Sequence, residues 1–382
     1  MGRGQWAWLA AFGLIGAVLV WAQVDGAVMR AAGGWQLGQG QAKWQAGALP
    51  ASVVGGGRYL GVNRSGTEYA CAQGNGLGDG KYDQASVQAM KAWGVNTVRV
   101  PLNEDCWLGI NGVKEGLGGA NYRGFIKGYV AELARAGIGS VLDLHWSAPG
   151  ESLALGQAEM ADADHSGKFW KSVAGVFANR PGVSFDVFNE PHGISNACWV
   201  EGCQIPDGNG DAWLAMGMQD LIDAVRSTGA RNPIWVSGND WGNDLGAMTQ
   251  LEDPAHSLVG SLHAYSGDAS RAWLPMEAEG LDKVNVAAYE LRMASYAATN
   301  HYPLVLGEVG EFDCQSGFAS ALYAYADLHN VGYLGWNWGA SSAQCASGPS
   351  LTKDAKGTPT DYGLGLKRAL GAASARSKMA GS

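Results

Sequence analysis

Positive charge is scarce in this chain. Only 26 Lys and Arg stand against 35 Asp and Glu, the formal net charge is -9, and the basic residues form no cluster. A phosphate backbone would be repelled along most of such a surface, which excludes nucleic acid as a partner. No cysteine is spaced as CxxC or CxxH, so a structural zinc site has no ligand frame. Histidines do not occur as an H-x-H pair, the ligand set a metal-dependent barrel hydrolase usually carries at a strand end. Charge of either sign is low, at 16%, while 47% of the residues are hydrophobic, so the 382 residues can bury one large core or two medium ones.

Tryptophan and glycine are the abundant residues, with 16 and 58 copies. Tryptophan is costly to expose without a purpose. Stacking on sugar rings is one purpose, and core packing accounts for the rest. Near the N-terminus, Arg3 precedes an uncharged apolar run from Trp6 to Ala22. Its lack of a polar face argues against a core helix and for export, as a signal peptide cut after the small residues Val20 and Ala22 or as a retained membrane anchor. The organisation expected is a signal peptide or anchor over 1–24, a Gly-, Ala- and Gln-rich lead-in over 25–57, a catalytic domain over 58–370 and a flexible tail over 371–382.

Eight segments share one grammar, a short apolar, β-branched run that ends in a polar or aromatic residue. They are "RYLGVN" (58–63), "VNTVRVP" (95–101), "IGSVLDLH" (138–145), "VSFDVFNE" (183–190), "PIWVSGND" (233–240), "LVGSLHAY" (258–265), "PLVLGEVG" (303–310) and "VGYLGWNW" (331–338). Near-continuous hydrophobicity marks parallel strands buried on both faces. Helical stretches lie between them, "ASVQAMKAWG", "FIKGYVAELARAG", "AWLAMGMQDLIDAVRSTG" and "AAYELRMASYAATN", and several stop at Gly or Asn. Eight βα units in series predict an α/β fold, a (β/α)8 TIM barrel. A doubly wound open sheet would need a Gly-rich phosphate turn after its first strand, and "GVNRSGTE" is not one.

In such a barrel the C-terminal strand ends converge, so polar residues there meet in space. Asn189, Glu190, Arg99, His145, Asn239, His263, Tyr265, Glu308 and Trp336 are all delivered to that end. So many ionisable groups are expensive to desolvate without a function. Two of them, Glu190 and Glu308, face each other across the mouth. One carboxylic acid that protonates a leaving oxygen and one carboxylate on the other face of the ring is what glycoside hydrolysis requires. Arg99 and the Tyr265 hydroxyl can hold one of the two ionised, and we assign them to Glu308.

The ordered set "VRVPLNEDCW", "LDLHW", "NEP", "HAY", "GEVGEFD" and "GWNW" resembles the family 5 glycoside hydrolases, the cellulase family of the retaining-glycosidase clan, over roughly residues 58 to 366. The resemblance implies a retaining double displacement with Glu190 as acid/base and Glu308 as nucleophile. It further implies Asn189 on the sugar 2-hydroxyl, Trp336 under the sugar at the cleavage point, and Arg99, His145, His263 and Tyr265 as the supporting shell. A cellulase-like β-glycosidase follows as the expected function. A mannanase, a glycolipid glycosidase and a non-catalytic carbohydrate-binding barrel are the alternatives. An oligo- or polysaccharide is the expected partner and a monomer the expected state, with no cofactor.

Trp107, Trp146, Trp199 and Trp241 lie beyond strand ends, where they could stack sugars or pack the core. Asp162, Asp164 and His165 have the composition of a metal cluster, but such a loop set is more often solvated or structural, and no metal is assigned. Glu311 is a rival carboxylate that spacing puts in a loop. The six cysteines are an even set in a chain expected to be exported. Loops after consecutive barrel strands are neighbours, which pairs Cys71 with Cys106 and Cys314 with Cys345 and leaves Cys198 and Cys203 to close one small loop.

Overall fold

The computed structural model describes residues 57–207, 209–266, 281–299, 302–339 and 348–380, so the apolar N-terminal run and most of the lead-in lie outside the described residues. Among the described residues ten strands occur, in chain order β1 (Leu60–Asn63), β2 (Thr97–Asn103), β3 (Gly139–Trp146), β4 (Val183–Asp186), β5 (Cys203–Pro206), β6 (Ala212–Ala215), β7 (Ile234–Ser237), β8 (Leu258–Tyr265), β9 (Leu304–Gly310) and β10 (Gly332–Gly335). Eight of them close a barrel in the order β1-β10-β9-β8-β7-β4-β3-β2, and each of the eight apolar runs supplies one. Every pairing around the ring is parallel. Helices follow in alternation, so the (β/α)8 barrel expected from the repeat is the fold.

Burial explains why the runs are apolar throughout. Every residue of β2 is buried, and β3 and β8 are buried up to their last residue. Side chains on the outward face meet the helix layer in the main core. Those on the inward face fill the barrel, where Tyr59, Val141, Trp235, Val259, Val305 and Leu334 form a separate apolar cluster. Tyr59 and Trp235 meet there edge to face, with centroids 4.8 Å apart. All six lie in or just before the first half of a strand, except Leu334 in the short β10, so apolar side chains plug the N-terminal end of the barrel. Polar side chains are left to the other end.

Two local readings need correction. The segment 212–229, expected as one helix, begins as β6, which pairs antiparallel with β5, and turns helical only at Met218. Cross-strand pairing beside the Cys198–Cys203 bridge overrides the helical pattern of those four residues. The boundary expected at residue 370 falls inside the helix Asp361–Ala380, where Leu366, Leu370 and Ala373 are buried. Residues 371–380 therefore continue a packed helix, and Arg376 pairs with Asp327. Among the described residues no helix is long and apolar enough to cross a membrane.

The cysteines tie neighbouring loops. Cys71 bonds Cys106 across the loops after β1 and β2, and Cys198 bonds Cys203 after β4. Cys314 is disulfide-bonded as well, while its expected partner Cys345 lies outside the described residues.

Candidate active site

Strand β2 places one residue at the centre of the polar end. Arg99 is wholly buried, and its planar fork is fully engaged. Nε donates to Asp186 Oδ2 at 2.8 Å, Nη1 to Glu308 Oε1 at 2.7 Å and to Asn63 Oδ1 at 3.1 Å, and Nη2 to Asn189 Oδ1 at 2.8 Å. Asp143 Oδ1 adds an ion-pair contact 3.1 Å from Nη2. Burial alone would lower the guanidinium pKa, but Asp143, Asp186 and Glu308 more than offset it and hold the charge. Three carboxylates around one cation leave an excess of negative charge. Burial accordingly pushes Asp143 up to about 7 and Asp186 up to about 6, against the pull of Arg99.

Glu308 lies on β9 with both oxygens engaged. Oε1 takes Arg99, and Oε2 accepts from the Tyr265 hydroxyl at 2.5 Å. Burial, reinforced by the Glu308 charge, raises the Tyr265 phenol far above its ordinary value, so it stays protonated and donates. Both groups assigned to Glu308 thus reach it. Glu190 sits four residues past the end of β4. Although β4 ends at Asp186, the chain beyond it stays tied to both neighbouring strands, through Val187 N to Trp235 O and Asn189 N to Leu144 O. Burial raises the Glu190 carboxyl above its ordinary value, and Gln157 and His145 oppose that shift.

His263 links the two acids. Its Nδ1 is 2.8 Å from Glu190 Oε1 and 3.7 Å from Glu308 Oε2. A register shift between Leu262 and His263 brings His263 level with Glu308, the kind of bulge that re-aims side chains at active sites. Two glycines make room for the ring. A Cβ on Gly307 would come within 3.2 Å of His263 Nε2, and one on Gly242 within 2.7 Å of its Cγ. Burial lowers the His263 imidazole to about 4, so it is neutral near pH 7. One oxygen from each glutamate and His263 Nδ1 or Nε2 all lie within 4.8 Å of one another.

The remaining expected residues surround this pair. His145 Nδ1 contacts Asp143 Oδ2 at 2.6 Å, and its ring stacks on that of Trp336 with centroids 5.3 Å apart and planes 9° apart. Trp336 and Trp146 are half-buried. Because Asn189 Oδ1 is held by Arg99, its Nδ2 is aimed elsewhere, buried and without a hydrogen-bond partner. His263 Nε2 is equally unpartnered.

Other candidates separate out. Trp107 and Trp199 are completely buried, with ring N–H groups donating to Ser172 Oγ and Ser237 O, so they pack the core and do not stack on sugars. Trp241 is 39% exposed and lies flat on His192, centroids 3.5 Å apart. Asn239 spends its amide on Ile194 and Asn196. Glu311 accepts from the backbone N–H of Phe318 and Ala319 and so caps the helix Gly317–Leu328. Asp164 binds the Gly150 N–H, whereas Asp162 and His165 lie with Glu104. Asn63, Asp143, Asp186 and Gln157 are site residues that sequence reasoning missed. A signal existed for the two aspartates: a charged residue inside "SVLDLH" or "VSFDVF" breaks an otherwise buried pattern.

The arrangement has counterparts among known proteins. The family model for cellulases, glycosyl hydrolase family 5, matches residues 62–342. Endoglucanase 1 from Robillarda sp. is 24% identical over 50% of this chain and 49% of its own length. A mannan endo-1,4-beta-mannosidase from Streptomyces lividans is 24% identical over 66% of this chain and 57% of its own. The chain thus spans about half the length of these curated relatives. In fold it is similar to the crystal structure of an endo-beta-1,4-glucanase from Xanthomonas axonopodis pv. citri, with a TM-score of 0.60 at 20% identity, covering 82% of this chain and 98% of that one. With the family model reaching from within β1 to beyond β10 and the buried Arg99 network at the polar end of the barrel, the chain belongs to the cellulase family, glycosyl hydrolase family 5.

Proposed function

We propose that this protein is a retaining β-glycosidase that cleaves β-1,4-linked glucan. The observation that carries the reading is the pair Glu190 and Glu308, with one oxygen of each within 4.8 Å of the other, in unequal surroundings. Retaining enzymes hold their two carboxyl groups about 5 to 5.5 Å apart, and inverting enzymes leave about 6.5 to 9.5 Å for a water. Glu308, fixed by a guanidinium and a phenol, suits the nucleophile. Its oxygen attacks the anomeric carbon as the glycosidic bond breaks, and the leaving oxygen takes a proton from Glu190, whose raised pKa suits an acid. A glycosyl ester on Glu308 results. Glu190, now a carboxylate, then removes a proton from water, which attacks the anomeric carbon and frees Glu308 with the sugar configuration retained.

The unpartnered Nδ2 of Asn189 suits a hydrogen bond to the sugar 2-hydroxyl, a contact that strengthens in the transition state. Trp336, held flat by His145, offers a ring face at the cleavage point. Trp241 offers a second, more exposed face. The endoglucanase and glucanase names among the similar proteins support a glucan as substrate. We further propose that the catalytic domain runs from about residue 58 through the packed helix that ends at Ala380, and that the chain is exported. Export is motivated by the apolar N-terminal run and by disulfides that persist only in an oxidising compartment.

The test is the anomer first released. Proton NMR of fresh cello-oligosaccharide hydrolysis should show the β-anomer before mutarotation, and first release of the α-anomer would refute double displacement. Glu190→Gln and Glu308→Gln should each cost on the order of 10² or more in kcat with the fold intact. Binding of cello-oligosaccharide without turnover, or preferred turnover of mannan, would redirect the reading to a binding barrel or a mannanase.

A further inference from the structure

We propose that Glu104, Asp162 and His165 form a binding site for a divalent transition-metal ion of the Mn²⁺ or Zn²⁺ class, distinct from the catalytic carboxylates. Glu104 follows directly on β2, and Asp162 and His165 lie in the long connection after β3. Glu104 and Asp162 are wholly buried, while the His165 side chain is 17% exposed. One donor atom from each lies within 4.8 Å of the other two. Among the described residues no Lys or Arg makes an ion pair with either acid; the cationic group within reach is His165, with Nδ1 3.5 Å from Asp162 Oδ1. Two buried carboxylates side by side need a positive charge or a shared proton between them.

Two orphaned atoms point to a metal ion. Glu104 Oε2 accepts from Ser166 Oγ at 2.5 Å, but Oε1 is buried and accepts from no donor, and the Glu104 carboxyl lies within hydrogen-bonding reach of the Asp162 carboxyl. His165 Nδ1 is buried too and makes no hydrogen bond, its contact with Asp162 Oδ1 being 3.5 Å long. The other groups are already oriented: Asp162 Oδ1 accepts from His165 N at 2.8 Å, Oδ2 lies 3.2 Å from Ser166 Oγ, and neighbouring Asp105 accepts from Ala154 N at 2.7 Å. Such hydrogen-bonded carboxylates and an imidazole with a fixed backbone are the usual outer support of a metal ligand set. Oxygen alone would suit Ca²⁺ or Mg²⁺; adding an imidazole nitrogen shifts the preference to Mn²⁺ or Zn²⁺. The ion would tie the end of β2 to the loop that carries Gln157, which hydrogen-bonds Glu190.

The experiment uses the full chain, stripped with EDTA and titrated with MnCl₂ or ZnCl₂ by calorimetry and thermal unfolding, with CaCl₂ and MgCl₂ as comparison. One equivalent of Mn²⁺ or Zn²⁺ should bind and raise Tm. His165→Ala, at a partly exposed position that should leave folding intact, should weaken that binding at least tenfold. Glu190→Gln should leave it unchanged, which separates this site from the Glu190, His263 and Glu308 cluster. Glu104→Gln should abolish it. No metal-dependent Tm shift, binding indifferent to His165→Ala, or binding lost with Glu190→Gln would each overturn the proposal. A Glu104→Gln protein that is more stable whether or not metal is added would identify a shared proton in its place, and would also overturn it. None of these outcomes depends on glycosidase activity.

Discussion

Arg99 donates to Glu308 at 2.7 Å with neither side chain more than 3% exposed, and the same guanidinium holds the oxygen of Asn189. A single buried cation therefore sets the position of both the proposed nucleophile and the amide facing the sugar. Lysine has no fork with which to make these contacts together. Arg99→Lys should lower kcat/KM by about 10² or more, the usual cost of losing a preorganised electrostatic contact. Arg99→Met, which strands three buried acids, should also lose about 3 to 5 kcal/mol of stability in urea unfolding. Near-normal turnover of the lysine variant would show that Glu308 does not depend on Arg99.

Asp143 gives a pH signature. Its folded pKa of about 7 lies above the ordinary value of 3.8, so its contribution to stability is fully present below about pH 4 and lost as pH rises through 7. His263, lowered to about 4, acts in the opposite sense, because stability it lends above its ordinary value is lost as pH falls towards 4. Comparing wild type with Asp143→Asn isolates the aspartate. The stability of the variant relative to wild type should improve steadily from pH 4 to 7 in denaturant titrations. A flat difference would mean that Asp143 is ionised throughout.

Two tryptophans should behave differently. Trp241→Ala removes an exposed ring and should raise KM for long oligosaccharides roughly 3- to 10-fold, with stability little changed. Trp107→Ala empties a core position and should cost about 3 to 5 kcal/mol, with KM unaffected in the folded fraction. Kinetics on substrates of increasing length, alongside urea unfolding, compares them; a Trp241 variant with unchanged KM at every length would remove that ring from the substrate path.

Disulfide removal should scale with loop length. Cys71–Cys106 spans 35 residues and Cys198–Cys203 spans 5. Chain-entropy reasoning gives about 4 kcal/mol for the first and about 2 kcal/mol for the second. Double alanine variants measured in guanidinium should keep that order. The reverse order would show that the small loop is held for reasons other than entropy.

By itself the sequence determined the barrel, the strands, and the end at which chemistry gathers. A strand buried on both faces must be apolar over its length, so a polar residue at its end stands out, and eight repeats leave one closed topology. Glu190, Glu308, His263 and Tyr265 were legible for that reason, and Arg99 as a charge inside the apolar run of β2. Tertiary structure decided what depends on several strands at once. Asn63, Asp143 and Asp186 became site residues only because β1, β3 and β4 converge on Arg99. Trp107 and Trp199 are core and Trp241 is surface, though all three follow strand ends, because helices and loops remote in sequence cover two of them. Glu311, three residues past Glu308, was diverted to cap a helix, and "AWLA" became a strand because a partner four residues long lay beside it. Local pattern reports what a residue can be; which partner satisfies its polar or apolar surface is known only when distant segments meet.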